Sequence, residues 1–363
     1  MISFDTTSPL AFTAVAILST SVLLLLLKRE EVIGMGFHKL DQLSQLFPPK
    51  PKFTEKDLPD LAGKVYIVTG ANTGVGKELA QILYSKNARV YVAARNEEKG
   101  EDAIKAIKEA HPSSTGSLVF MKLDLADLTT IKASARQFLD SEERLHVLFN
   151  NAGVMNPPTG STTTQGYELQ LGVNNVGTFM FTELLTPTLV ATAKKDGPGS
   201  ARVVWVGSSA TEAPLVPAGG VDMAAIDQRV GKNSFNNYLL SKAGNYLHGI
   251  EYAQRHKDDG VVSVSLNPGN LDSDLWRSYG PVIRWGLSTF ILHPSIYGAY
   301  TELFAGLSPD VTMEKTGAWI GPWGRFLTVR KDLPLSVKSV EEGGYGTSKA
   351  FWEWSEKQVE PYM

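Results

Sequence analysis

The sequence predicts an α/β fold of the doubly wound kind, with a parallel sheet covered by helices on both faces. Three observations carry this. Short β-branched runs alternate with helix-length amphipathic segments, the runs are apolar almost without interruption, and glycine-rich turns close them. The runs are KVYIVTG from Lys64, ARVYVAAR from Ala88, SLVFMKLD from Ser117, LHVLFNNAG from Leu145, ARVVWVGS from Ala201 and VVSVSLNPG from Val261, with a further short strand expected at Ala318 to Gly321. A strand buried on one face only would alternate apolar with polar residues, so near-continuous hydrophobicity points to helices on both sides. The expected helices are Gly76 to Lys86, Glu97 to Ala110, Leu128 to Leu139, Leu171 to Leu189 and Asn237 to Gln254. In such sheets ligands sit beyond the carboxyl ends of the strands.

Composition narrows the chemistry. The 363 residues contain no cysteine, which excludes disulfides, thiolate metal sites and a cysteine nucleophile, and no metal-ligand spacing replaces them. A net charge of -3 leaves no basic excess to neutralise a nucleic-acid backbone. The expected partner is a small molecule, and self-association into a homo-oligomer is left open.

Four segments follow along the chain: residues 1–34, a hydrophobic anchor with its flank; 35–60, a linker; 61–330, the main folded domain; and 331–363, a C-terminal extension. Leu10 to Leu27 runs 18 residues without a charge, about the length that crosses a hydrocarbon core. Lys28 and Arg29 follow it, so the positive-inside rule places the main domain in the cytosol of a single-pass membrane protein, with the endoplasmic reticulum as the expected membrane. The segment lacks the basic n-region and A-x-A site of a cleaved signal. Translation from Met35 would instead give a soluble, cytoplasmic chain. The stretch 48–60, with four prolines and mixed charge, reads as an extended connector rather than core.

The first strand leads through Thr69 into Gly70-Ala71-Asn72-Thr73-Gly74-Val75-Gly76, which opens the first helix. Glycines here permit a tight turn and a close approach of backbone to a pyrophosphate, whose charge meets the helix N-terminal amides. At the end of the second strand stand Ala94 and Arg95 rather than a carboxylate that would accept from a ribose hydroxyl. Arg95 and Lys77 are two cations suited to a 2′-phosphate, which favours NADP over NAD. Tyr238 and Lys242 are four residues apart and hence on one helix face, where a cation favours the phenolate of its neighbour. Tyr345 and Lys349 repeat the spacing beyond the last strand and read as a surface helix start.

The G-x-x-x-G-x-G turn, Asp124, Asn150-Asn151-Ala152-Gly153, Asn174, Ser208-Ser209, Tyr238-x-x-x-Lys242 and Pro268-Gly269 together resemble the short-chain dehydrogenase/reductase family, over most of residues 61–354. The resemblance implies a Rossmann-like domain and an NADP-dependent oxidoreductase that interconverts an alcohol and a carbonyl. It implies a catalytic tetrad of Asn174, Ser209, Tyr238 and Lys242, with Ser208 as the alternative hydroxyl. Cofactor contacts are expected from Gly70, Gly74, Val75, Gly76, Lys77, Arg95, Asp124, Asn151, Tyr238, Lys242, Leu271 and Ser273, the last in the place of the usual threonine. The long interval from Ser209 to Tyr238 is similar to the retinol-dehydrogenase-like and WW-domain-oxidoreductase-like branch, and the WEWSEKQV stretch to its fungal members. The apolar segment 270–294 lies where the family closes over substrate, which suggests a lipophilic compound and, with NADPH in the cytosol, use as a reductase. A non-catalytic nucleotide-binding protein on the same fold is the alternative.

Overall fold

The structure is a computed structural model, and it describes residues 44–272 and 292–363. Eight strands form one sheet: β1 (Val65–Thr69), β2 (Arg89–Ala94), β3 (Ser117–Lys122), β4 (Val147–Asn150), β5 (Ala201–Val206), β6 (Val261–Leu266), β9 (Trp319–Gly321) and β10 (Arg325–Leu327). A separate two-stranded ladder joins β7 (Leu271–Asp272) to β8 (His293–Pro294). The order in the large sheet is β3-β2-β1-β4-β5-β6-β9-β10, with every neighbouring pair parallel except β9 with β10. The chain therefore reverses its direction of winding between β1 and β4, the switch point where such sheets open a crevice. The expected seventh strand is present as β9. The eighth, antiparallel strand follows from a tight turn through Trp323 and Gly324, both at positive φ.

The helices are α1 (Gly74–Ser85), α2 (Glu97–Ala110), α3 (Leu128–Leu139), α4 (Thr178–Asp196), α5 (Ser234–His256), α6 (Ser295–Leu307) and α7 (Thr347–Val359). Alternation along each strand divides its side chains between two cores. Tyr66 and Val68 of β1 pack with α1, α2 and α6, whereas Val65 and Ile67 pack in the opposite layer, with Phe138 of α3, Phe181 of α4 and Trp352 of α7. Burial on both faces is the physical reason that the strands carry no polar alternation. The helix entering α4, over Leu169–Asp196, is long and apolar enough to cross a membrane, but 67% of its most apolar window is buried in the protein. It is a core helix.

The expectation for the connector changes. Residues 48–60 do not stand clear of the domain: Leu58 is buried in the first core and Phe53 meets Phe304 edge-on. The last thirty-odd residues are likewise built in, with Leu333, Phe351 and Trp352 buried and His248 of α5 stacked on Phe351 at 4.6 Å between centroids. Apolar residues were present in both stretches, but prolines and charges around them masked a periodic signal. The expected span Leu10 to Leu27 lies outside the described residues, as do Ser273 and most of segment 270–294.

Candidate active site

The glycine turn forms where the sequence puts it. Gly70 and Gly74 adopt φ of +71° and +55°, the left-handed region that glycine enters without a steric penalty. A Cβ on Gly76 would lie 2.5 Å from Asn151 Nδ2 and 2.8 Å from Gly70 O, so the helix can start this close to the turn only without one. Asn151 Nδ2 donates to Thr69 O at 2.7 Å, and the amide of Ala152 donates to Thr69 Oγ1 at 2.9 Å. Thr69 Oγ1 in turn donates to Phe149 O at 3.1 Å. These bonds lock the ends of β1 and β4 together beneath the turn, at the switch point. Lys77 is half-buried on the first turn of α1 and Arg95 is exposed just past β2. Among the described residues neither forms an ion pair. Asp124, two residues past β3, accepts from the amide of Ala126 at 3.0 Å, and Val75 packs against the position of Gly298. Leu271 is buried and packs on the same glycine.

On α5, Tyr238 and Lys242 share one face, with the Lys242 ammonium 5.9 Å from the Tyr238 ring centre. Lys242 Nζ donates to Val206 O at 2.8 Å, and Asn245 Nδ2 donates to the same carbonyl at 3.0 Å. That carbonyl ends β5, so the helix is pinned to the strand that leads into Ser208 and Ser209. Burial pulls the Lys242 ammonium down to about 8 from its usual 10.5, with the charge of Glu302 opposing.

Asn174 lies in a π-helical turn, Gly172–Gly177, between the helical residues Leu169–Leu171 and α4. Sequence periodicity predicts an uninterrupted helix here and cannot see the widened turn, a feature frequent at functional sites. Asn174 is fully buried; its Oδ1 accepts from Val154 N at 2.8 Å and its Nδ2 donates to Val154 O at 3.0 Å and to Ser241 Oγ at 2.9 Å. Asn175 beside it donates to Ser241 O and Asn245 Oδ1. The two asparagines thus tie the π turn to α5 on either side of Lys242. Of the serine pair, Ser208 is half-buried and its Oγ accepts from Ala210 N at 3.2 Å as an N-cap. Ser209 is exposed and begins the 3₁₀ turn Ser209–Glu212.

The decoy behaves as a surface pair. Tyr345 is exposed and precedes α7, and Lys349 lies 3.9 Å from Glu353.

A family model for short chain dehydrogenase matches residues 64–219, from β1 into the loop beyond the serine pair. A short-chain dehydrogenase/reductase of Phomopsis amygdali is 53% identical over 324 residues, 88% of this chain and 96% of that protein. The chain belongs to the short-chain dehydrogenase/reductase family. It is accordingly an oxidoreductase. Among solved structures, a protein from Mycobacterium paratuberculosis superposes with a TM-score of 0.61 at 28% identity, covering 85% of this chain and 97% of that one. A Pseudomonas aeruginosa protein, RhlG, solved as an NADP active-site complex, has a TM-score of 0.57 at 24% identity and covers 72% of this chain and 95% of its own. At that identity the second likeness shows the fold.

One group of this dehydrogenase/reductase escapes the sequence reading altogether. Glu302 of α6 is fully buried, and neither carboxyl oxygen has a hydrogen-bond partner among the described residues. Burial pushes its carboxyl up to about 8, with the Lys242 charge working the other way. It lies one helical turn from both Gly298, which meets Val75 and Leu271, and Gly306, which meets Phe149. A glutamate in an apolar helix normally marks the solvent face. Small residues on both sides of it were the available signal, since they let the helix press its glutamate face against the sheet.

Proposed function

We propose that the chain is an NADP-dependent reductase of a lipophilic carbonyl compound. The observation that carries the reading is the meeting of two independent elements at one sheet end: a cation-flanked glycine cradle at β1 and a Tyr238–Lys242 pair pinned to the end of β5. The cradle fits a dinucleotide. Its turn needs glycine at Gly70, Gly74 and Gly76, the helix amides of α1 open onto it, and no carboxylate ends β2 to compete with a 2′-phosphate. Lys77 and Arg95 would hold that phosphate, and Asp124, Asn151, Val75, Leu271 and Ser273 are assigned to the remaining contacts.

Bound NADPH supplies the hydride for the carbonyl carbon. Tyr238 gives its phenolic proton to the carbonyl oxygen as the alkoxide forms, and Lys242 favours the phenolate left behind. Asn174, holding Ser241 and the Val154 backbone, keeps the π turn and α5 in register around that proton path. The hydroxyl that polarises the carbonyl comes from the serine pair. The geometry supports Ser208 ahead of the expected Ser209, because Ser208 extends directly from the strand end held by Lys242 and, while accepting from Ala210 N, retains its own proton to donate.

The lipophilic substrate is inferred from the apolar composition of 270–294, and the reductive direction from a cytosolic supply of NADPH. Both join the proposal that Leu10 to Leu27 anchors the chain in a membrane, with Lys28 and Arg29 on the cytosolic side. The test is cofactor oxidation against a panel of aldehydes and ketones of rising hydrophobicity, with NADPH and NADH in parallel and Tyr238→Phe as control. Turnover with NADPH that vanishes in the control is expected. Turnover that survives Tyr238→Phe, or a preference for NADH, would overturn the respective assignment.

A further inference from the structure

The structure assigns a role in the active-site frame to a residue that precedes the dinucleotide domain: we propose that Gln45 is a positioning residue for the reaction. Gln45 is 5% exposed although it stands ahead of the proline-rich stretch 48–60. Its Nε2 donates to Glu212 Oε2 at 3.0 Å, and its Oε1 accepts from Asn267 Nδ2 at 2.7 Å. Both partners are buried as deeply as Gln45 itself. Glu212 ends the 3₁₀ turn that Ser209 begins, and Asn267 follows β6 and accepts from the amide of Gly269 at 3.0 Å, on the way to Leu271. One amide therefore braces the loop that carries the candidate hydroxyl against the loop that leads to Leu271, an expected cofactor contact.

The chemistry of the bridge is selective. Glu212 offers a carboxylate acceptor, whose second oxygen takes the backbone amide of Arg330 at 2.9 Å. Asn267 offers a donor. A carboxamide of this length satisfies both at once, because it presents a donor and an acceptor from one planar group. A glutamate there would lose the donor, and an apolar residue would take one hydrogen bond from each of two buried polar groups. The Arg330 guanidinium is committed to Asp332 and to the carbonyls of Ala213, Val216 and Pro217, and Tyr246, which faces both Glu212 and Asp332, has its phenol pushed up by burial.

The proposal rests on the reductase reading above, and its test separates the two. In the full chain, Gln45→Met keeps the reach and removes both bonds, whereas Gln45→Glu keeps the shape and sets a second carboxylate against Glu212. The readouts are NADPH affinity, kcat with 4-nitrobenzaldehyde or another panel carbonyl, and hydrogen exchange over 209–217 and 267–271. Gln45→Met is expected to lower kcat at least about tenfold, since small misplacements of a catalytic group are costly, while NADPH affinity stays within about twofold. Exchange should quicken in both loops. The deficit of Gln45→Glu relative to the unsubstituted chain should be smaller at about pH 5.5 than at about pH 8, because a proton shared by the two carboxyls restores a donor. An unchanged kcat, unchanged exchange in either loop, or NADPH affinity lost in step with kcat overturns the positioning role. Absence of turnover in the unsubstituted chain would sink the reductase reading instead, and exchange would still decide whether Gln45 braces the loops.

Discussion

Replacing Asn174 by alanine should damage stability and turnover together, and the structure sets the size of the first effect. The side chain makes three hydrogen bonds from a fully buried position. Its loss leaves the N–H and C=O of Val154 without partners, whereas Ser241 Oγ keeps its own bond to Tyr238 O at 2.8 Å. An orphaned buried group costs roughly 1–3 kcal/mol, and Val154 is only partly buried, so water recovers some of that. The expected loss is about 2–3 kcal/mol, equivalent to a fall in Tm of roughly 3–5 °C for a domain this large. Urea unfolding followed by circular dichroism measures it, alongside NADPH turnover, which should fall at least about tenfold as the π turn relaxes away from α5. Asn174→Asp is the control: it keeps the acceptor for Val154 N and, while protonated, one of the two donors, so it should lie between the alanine variant and the unsubstituted chain in stability at low pH and worsen as the carboxyl ionises. A stability loss below about 0.5 kcal/mol for the alanine variant would refute the claim that this side chain holds the turn.

Other outcomes follow from the same geometry. Tyr238→Phe should reduce turnover at least about a hundredfold with unfolding unchanged, while Tyr345→Phe should be nearly silent; steady-state kinetics on the two variants decides, and reversed effects would discard the assignment. Arg95→Ala should weaken NADPH binding by about 1–3 kcal/mol and leave NADH nearly unaffected, and equal losses in a titration would remove the 2′-phosphate role. Glu302→Gln should change the dependence of stability on pH. A carboxyl raised to about 8 in the folded chain binds more protons there than when unfolded, so its contribution is fully present below about 4.5 and is lost as pH rises towards 8. The variant should lack that loss, and an unchanged slope in unfolding series between those values would show that Glu302 is ionised in the folded protein.

How much of this was legible in the sequence depended on whether a feature was local. The strands were legible because burial on both faces leaves a continuous apolar run, and the glycine turn because positive φ at Gly70 and Gly74 demands a residue type. The helices at Glu97–Ala110 and Leu128–Leu139 were found to the residue, since Asn96 and Asp127 cap them with side chains that accept from the next turn. The Tyr238–Lys242 pair was legible because four residues span one helical turn. What could not be read was long-range. Gln45 reaches Asn267 across 222 positions, and no periodicity or spacing announces such a bond. The π turn at Gly172–Gly177 was hidden because it inserts into a helix without changing its apolar character, and Glu302 because composition assigns a glutamate to solvent.

The buried polar side chains share a physical logic. Asn174, Asn175, Gln45, Glu212, Asn267 and Glu302 are buried polar side chains, and burying such groups is unfavourable unless each finds its partner. Five of the six spend their polar atoms joining elements that the sheet alone leaves separate: Asn174 and Asn175 join the π turn to α5, and Gln45, Glu212 and Asn267 join the loops beyond β5 and β6 to the flanking chain. Apolar packing would hold these loops with comparable energy, but it tolerates small sliding. Hydrogen bonds of 2.7–3.0 Å with fixed donors and acceptors tolerate much less. A proton and a hydride delivered to neighbouring atoms need that tighter tolerance. The one member with no hydrogen-bond partner among the described residues, Glu302, is the one set against Lys242 by charge, with burial raising the carboxyl and lowering the ammonium against that attraction.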